Sequence, residues 1–412
     1  MTAAPPIRLP DPDWLGESET RRVLAALGAD GVEVRFVGGC VRDALIGRAV
    51  VDIDVATPDP PDAVLRKLAA AGLRGLPTGI AHGTVTALAG ARRFEVTTLR
   101  RDVETDGRHA RVAFTDDWRA DAARRDFTIN AMSAGADGVV HDYFGGLGDL
   151  RAGRVRFVGD PAARIAEDRL RILRFWRFHA HYGRGAPDVA ARAACRAGAG
   201  GLALLSGERV RAELVKLLAA ADPVPSVAAM AEDGLFAQLA RGPVAVDALA
   251  ALRALEPAAT RDPWRRLASL LPDAAVAAAL AERLRLSRAE RDRLVAAAGA
   301  TALADRDATR AALYRDGVEA VTDRALVAAA RGMMPAAALA DTLAEVAAWR
   351  QPEFPVGGAD VLGLGVAPGP QVGSLLAEVE AWWIAADFLP GRAACLARLR
   401  EVTARSRPAA GS

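Results

Sequence analysis

Residues 32–54 read VEVRFVGGCVRDALIGRAVVDID. A β-rich run, Val32 to Val37, passes directly into Gly38-Gly39, and the segment that follows to Ile46 has the character of a short helix. Two glycines let a backbone approach a ligand closely, and the amides of a helix start together with Arg42 suit a triphosphate. A Gly-Gly turn alone is common in any fold, so its neighbour decides how to read it. Asp52 and Asp54 lie in the next β-rich run, Val50 to Ala56, where residues two apart point to one face with α-carbons about 7 Å apart. Like charges placed this way are unfavourable unless a cation sits between them, and such oxygen ligands suit Mg²⁺ bound together with substrate phosphates. Glu95 stands in a later run, Phe94 to Leu99; if that strand pairs beside the first, it completes a three-carboxylate set for two-metal nucleotidyl transfer.

Outward from this segment, residues 32–134 mix strand-like runs, including Thr84 to Leu88, with helical stretches such as Pro61 to Ala71, an α/β or α+β pattern. From about Leu147 the strand signals nearly vanish, and Ala/Leu/Arg segments with helical spacing continue to the end. They are punctuated by Gly and Pro near 183–187, 222–225 and 352–370. The 412 residues, 51% hydrophobic and 25% charged with a formal charge of +2, exclude a disordered, collagenous or simple coiled-coil chain. Cys40, Cys195 and Cys395 are too scattered for a disulfide framework or a CxxC metal pair, and no signal peptide or membrane span is evident. A soluble, cytoplasmic protein is expected.

Charge is unevenly placed. Residues 151–220 hold 13 Arg and Lys216 against 6 acids, a local +8 that leaves −6 for the rest of the chain. Such a concentration suits a polyanionic partner better than a membrane. Within it, DPAARIAEDRLRILRFWRF (160–178) sorts on a helical projection into an apolar arc of Ile165, Ile172, Leu173 and Trp176. Glu167, Asp168, Arg171, Arg174 and Arg177 occupy the other half, either as a solvated, salt-bridged face or as a polar wall toward a ligand. Phe175 and Phe178 project near the arginines, with core packing the simpler role. Upstream, Arg124-Arg125-Asp126-Phe127-Thr128-Ile129-Asn130 reads either as two arginines fit for phosphate oxygens with Asp126 and Asn130 spaced to meet on one helix face, or as a helix start with an internal Arg-Asp pair. Downstream, Ser206 is placed as an N-cap, and Arg209 and Glu213 form an i,i+4 pair expected to brace a helix.

Together these residues resemble the class II tRNA nucleotidyltransferases and bacterial poly(A) polymerases, within the polymerase β superfamily. The resemblance rests on Gly-Gly-x-Val-Arg-Asp, Asp52-x-Asp54, RRDFTxNA at 124–131 and Glu167-Asp168-x-x-Arg171. It covers about Val32 to Leu218, with weaker support from GADVLGLGVAPGPQVG at 358–373, which either holds an RNA phosphate or joins two tail helices. The resemblance implies an α+β fold: a nucleotidyltransferase head (1–150), a nucleotide-recognising helical neck (151–222), a helical body (223–345) and a helical tail (346–412), the last three elongated. It implies catalysis by Asp52, Asp54 and Glu95, with Mg²⁺ on the first two. Nucleotide contacts are implied for Gly38, Gly39, Arg42, Arg124, Arg125, Asp126, Asn130, Glu167, Asp168, Arg171, Arg174 and Arg177. In such proteins the Asp168 carboxylate and Arg171 read the Watson–Crick edge of CTP or ATP, so that no nucleic-acid template is needed.

The implied partners are CTP, ATP and the tRNA 3′ end. The polar segment Arg100 to Asp117 looks like the family's flexible loop, associated with addition of the full CCA. Some relatives carry a His-dependent phosphohydrolase domain; with no His after His181, that activity is not expected. The competing readings are a poly(A) polymerase using ATP alone and a catalytically silent RNA-binding protein on the same scaffold.

Overall fold

Two helices, α1 (Asp13–Gly16) and α2 (Ser18–Leu27), open the described part of the chain. Trp14 of α1 meets Phe36 edge-on with ring centroids 4.8 Å apart, and Val23 and Leu27 of α2 are fully buried. The computed structural model describes residues 6–106, 109–240 and 242–406. The chain divides into two units, Met1–Arg241 and Gly242–Ser412. The expected head and neck fall within the first.

The head runs β1 (Arg35–Val37), α3 (Gly39–Leu45), β2 (Ile53–Thr57), α4 (Pro61–Ala70), β3 (Arg74–Gly79), β4 (Thr84–Ala89) and β5 (Arg92–Thr98). It continues through β6 (Arg100–Asp106), β7 (His109–Phe114), α5 (Trp118–Ala123), β8 (Ser133–Gly135), β9 (Val140–His141) and α6 (Gly146–Ala152). Among the described residues seven strands form one sheet, in the order β3-β4-β5-β2-β1-β8-β9; β2 and β5 run parallel and the other neighbours antiparallel. The period of two turns Val85, Ala87, Phe94 and Val96 into the core, where Val64 and Leu68 of α4 are also buried. It leaves Glu95 exposed on the other face. One side of the sheet is therefore open for chemistry.

Two expectations change here. Within the segment 100–117, read as a flexible loop, Arg100–Asp106 and His109–Phe114 pair as antiparallel strands, and the Arg100 amide donates to Asp121 (3.2 Å). And 160–178 is not one helix: α7 (Pro161–Glu167) ends before Asp168, whose φ of −151° and ψ of 110° are extended, and α8 (Arg171–Tyr182) begins three residues on. α8 is buried through Phe178 and His179 except at Arg171, Arg174 and Arg177, and its last turn, Ala180 to Tyr182, is partly exposed. Phe127 joins this helix to the head, its ring 4.8 Å from Phe157 and 5.1 Å from Phe178, while Phe175 and Trp176 are wholly buried. The first unit closes with α9 (Val189–Ala197), α10 (Gly207–Leu218), α11 (Val224–Glu232) and α12 (Leu235–Ala240). No strand follows His141 among the described residues, as the sequence pattern implied.

Every regular element among the described residues of the second unit is a helix, with Asp262, Asp273 and Asp305 accepting from helix-start amides. Trp383 lies in its core with Val379, Cys395 and Leu399, and Trp382 packs against the same cluster, so both tryptophans serve packing as expected. Residues 358–373 span a short helix and the start of the next; Asp360 accepts from the Gly357 amide (2.9 Å) and pairs with Arg392. All three cysteines are buried as free thiols. None of the described helices is long and apolar enough to cross a membrane.

Glu256 is fully buried between Arg265 (3.1 Å) and Arg266 (2.8 Å), and Arg265 also donates to Asp323 (2.8 Å). Breaking one partner of such a cluster leaves uncompensated buried charge. Glu256→Ala is expected to cost about 3–5 kcal/mol, read as lost amide-exchange protection over Pro263–Leu270 in the intact chain. Unchanged protection there would show that the cluster contributes nothing to holding this unit.

Candidate active site

Gly38 begins the site. Its φ of +72° belongs to the left-handed region, so glycine is favoured by conformation, and a Cβ at this position, 2.9 Å from Nη1 of Arg125, would also require that side chain to shift. The turn delivers Arg42 on the next helix into the first unit, 8% exposed. Arg42 donates from Nη1 to Asn130 Oδ1 (2.6 Å) and from Nε and Nη2 to Asp43 (2.9 and 2.7 Å), and its guanidinium stacks 4.2 Å over the Tyr182 ring. Tyr182 in turn donates to Asp43 (2.9 Å).

Asp126 is the hub. Its Oδ1 accepts from the Phe127 amide (2.9 Å) and from Asn130 Nδ2 (3.0 Å), and its Oδ2 accepts from Arg174 Nε (2.8 Å). Asp126 and Asn130 meet as expected from their spacing, through a 3₁₀ turn at Thr128–Asn130 instead of an α-helix face. Burial opposes the charge of Asp126, but Arg174 and the hydrogen bonds outweigh it and hold the carboxyl below its usual range. Arg124 and Arg125 share Asp121 (2.8 and 3.2 Å), which those two cations likewise keep below its usual range against burial. Arg177 lies 3.3 Å from Glu213, which Arg174 also approaches at 3.7 Å; burial is the main cause of a lowered Arg177 pKa.

The break between α7 and α8 sets the far wall. Asp168 Oδ1 accepts from the Leu170 amide (3.0 Å), and its Oδ2 accepts from Arg209 Nη2 (2.6 Å). Glu167 accepts from both Arg164 (3.0 Å) and Arg171, and Arg171 also donates to the Arg164 carbonyl (2.8 Å). The anticipated Arg209–Glu213 brace is thus replaced: Arg209 reaches Asp168, and Glu213 takes Arg174 and Arg177. Ser206 stands at the N-cap position of α10, but its side chain makes no capping hydrogen bond.

One cleft of about 460 Å³ is lined by Gly38, Gly39, Arg42, Asp54, Arg124, Arg125, Asp126, Asn130, Asp168, Arg171 and Arg174, all singled out from sequence. Arg209, Leu170 and Phe178 complete it, whereas Asp52, Glu95, Glu167, Arg177 and Glu213 do not line it. Six guanidiniums against three carboxylates give the cleft the polarity a triphosphate needs. Arg164, for which sequence predicts no role, ties α7 to the head by donating to the Arg125 carbonyl (2.9 Å). Its position three residues before Glu167 was the available signal.

On the open face, Asp54 and Glu95 are direct register partners across the parallel pair β2–β5, so the expected pairing of these strands is present. Asp52 is exposed and precedes β2, which starts at Ile53 instead of at Val50. Among the described residues, no set of three or more His, Cys, Asp or Glu closes into a metal cage. The chemistry of the donor set nonetheless fits a hard divalent cation: the Asp54 carboxyl is raised to about 6 by burial, with Glu95 beside it and Asp52 adding to the rise against Arg125. Carboxylates of this kind take Mg²⁺ when substrate phosphates supply the remaining oxygens.

A small sheet with a Gly-Gly turn, aspartates on its open face and an arginine-lined helix opposite defines a nucleotidyltransferase. The Poly A polymerase head domain matches residues 34–156, and the family described as "Probable RNA and SrmB- binding site of polymerase A" matches residues 188–245. The chain is 37% identical over 368 residues to the CCA tRNA nucleotidyltransferase 1, mitochondrial, of Danio rerio, covering 85% of this chain and 83% of that one. It is 32% identical to a CCA-adding enzyme of Lacticaseibacillus paracasei over 87% of this chain and 89% of the other. The crystal structure of the Bacillus stearothermophilus CCA-adding enzyme in complex with CTP superposes with a TM-score of 0.75 at 29% identity, over 94% of this chain and 97% of that one. The chain belongs to the class II tRNA nucleotidyltransferase and poly(A) polymerase family.

Asp54→Asn removes a charge that burial and two neighbouring carboxylates disfavour. In metal-free buffer it is expected to stabilise the protein by about 1–2 kcal/mol, read as a raised thermal midpoint. A lowered midpoint would mean that the wild-type carboxylate is already compensated.

Proposed function

We propose that this protein is a CCA tRNA nucleotidyltransferase, adding and repairing the 3′-terminal CCA of tRNA from CTP and ATP. The observation that carries the reading is the single cleft bringing Asp168 and Arg171 together with Asp54 and a cluster of arginines. In each cycle the RNA 3′-hydroxyl oxygen attacks the α-phosphorus of the bound nucleotide. A new P–O bond forms, the bond from the α-phosphorus to the bridging oxygen breaks, and pyrophosphate leaves while the hydroxyl proton passes to solvent. Mg²⁺ held by Asp52 and Asp54, with Glu95 alongside, would supply charge neutralisation and a more acidic hydroxyl.

The protein's own side chains do the rest. Arg42, Arg124 and Arg125 neutralise phosphate oxygens, and Gly38 and Gly39 let backbone come close to them. Asp126 and Asn130 hold Arg42 and Arg174 in place, and Arg177 sits behind them on Glu213. Asp168 accepts from the exocyclic amino group of cytosine or adenine, and Arg171, held by Glu167, donates to the ring acceptor. UTP and GTP present carbonyls there and would leave the carboxylate facing an acceptor, which is costly in a closed site. On this reading residues 1–150 carry the chemistry, 151–222 choose the nucleotide, 223–345 form a helical body, and the tail helices of 346–412 are assigned to tRNA binding.

The test supplies tRNA lacking its 3′ end with each labelled nucleotide singly and then with CTP and ATP together. Incorporation of C, C and then A is expected; extension of unrelated RNA by ATP alone into long tails would mark a poly(A) polymerase instead. Asp52→Ala is expected to lower incorporation by at least about 10³-fold with tRNA binding retained. Asp168→Ala or Arg171→Ala is expected to relax selection against UTP and GTP more than it weakens tRNA binding. Discrimination retained in both would remove the base-reading role.

A further inference from the structure

Arg209 entered the sequence reading as half of a helix brace, and the structure gives it another partner. It stands in the first turn of α10, and its Nη2 donates to Oδ2 of Asp168 across 2.6 Å, with both side chains only partly exposed. It also lines the same cleft as Asp168 and Arg171. Asp168 needs such a partner, because it lies in the extended break between α7 and α8 and no helical turn fixes its side chain. Its Oδ1 is tied to the Leu170 amide at 3.0 Å. Arg209 ties the other oxygen. With one donor on each oxygen the plane of the carboxylate is set, and the lone pairs left over have a defined direction. Arg171 is held by a separate set, Glu167 and the Arg164 carbonyl, so the two cleft-facing groups have independent supports.

We infer that Arg209 is a positioning residue for nucleotide selection: by orienting the Asp168 carboxylate it aims an acceptor at the exocyclic amino group of cytosine or adenine and so sharpens rejection of uracil and guanine. This rests on the reading of Asp168 as a base-recognising residue. The fork geometry of the guanidinium matters, since an ammonium is a point charge that neutralises without fixing a plane.

The experiment uses the full-length chain with tRNA lacking its 3′ end and compares kcat/KM for CTP and UTP, and for ATP and GTP. Arg209→Met keeps the length and removes the donor; it is expected to lower the CTP-to-UTP ratio about tenfold or more, the size of one charge-assisted hydrogen bond. Arg209→Lys should recover part of the kcat/KM for CTP but less of the ratio. The double variant Asp168→Ala/Arg209→Met should discriminate no worse than Asp168→Ala alone, because the two groups act as one. A merely structural arginine would lower the thermal midpoint and leave the ratios where they were. Unchanged ratios in both Arg209 variants, with discrimination lost in Asp168→Ala, would overturn the role of Arg209 while leaving base reading intact. Ratios retained in Asp168→Ala would overturn the base-reading assignment itself, and the inference with it.

Discussion

A single buried carboxylate, Asp126, holds the site together. It takes Arg174 from the helical segment on one oxygen and Asn130 with the Phe127 amide on the other, and Asn130 passes the connection to Arg42 of the Gly-Gly helix. Burying an isolated carboxylate costs several kcal/mol, so its arginine and hydrogen-bond donors are obligatory if the charge is to survive inside the fold. The consequence is geometric: Arg42 and Arg174, which line one cleft, cannot drift independently. The aromatic contacts of Phe127 with Phe157 and Phe178 repeat the same joint in apolar form one residue along.

Electrostatics in the cleft follow from how its arginines are pre-assigned. Arg124 and Arg125 divide Asp121, Arg174 and Arg177 face Glu213, and Arg209 holds Asp168. Each guanidinium carries five donors, so holding one carboxylate leaves donors for a phosphate oxygen. The acids beneath therefore act as anchors that limit the rotamer freedom an incoming triphosphate would otherwise have to remove. Arg42 shows the principle most clearly, braced by Asp43 below and stacked on Tyr182 at its side.

Much of this was legible in the sequence because it was local. Strand alternation in Thr84–Ala89 and Arg92–Thr98, the Gly-Gly turn and the three-residue spacing of Arg171, Arg174 and Arg177 all follow from rules that act within a few residues. Arg74–Gly79 escaped notice because its Gly75, Pro77 and Gly79 belong to a weak strand signal, tolerable here at the sheet edge. The helix over 160–178 was read as continuous because the apolar periodicity of Ile165, Ile172 and Trp176 runs through Asp168 undisturbed. Nothing in spacing announces that one residue is extended. Arg209 was misassigned for the opposite reason: an i,i+4 partner was present in sequence, and a tertiary partner 41 residues away outcompeted it.

Two aspartates border the same cleft with opposite electrostatics, and the contrast says where a cation belongs. Asp126 is fully compensated: its cation and donors overcome burial and hold it ionised without help. Asp54 has burial, Glu95 and Asp52 all working against its charge, and Arg125 alone in favour, so its carboxyl rises to about 6. Asp54 and Glu95 stand side by side on the open sheet face with Asp52 just before the strand, where apolar or amide side chains would be more stable. Positive charge from outside the chain would relieve that repulsion, and carboxylates of this kind suit Mg²⁺ when substrate phosphates supply further oxygens. The unfavourable charge on β2 and the surplus of arginine across the cleft are thus two halves of one design. Under the proposed function, the acids would take the cation and the spare donors of the arginines the phosphates of one nucleotide.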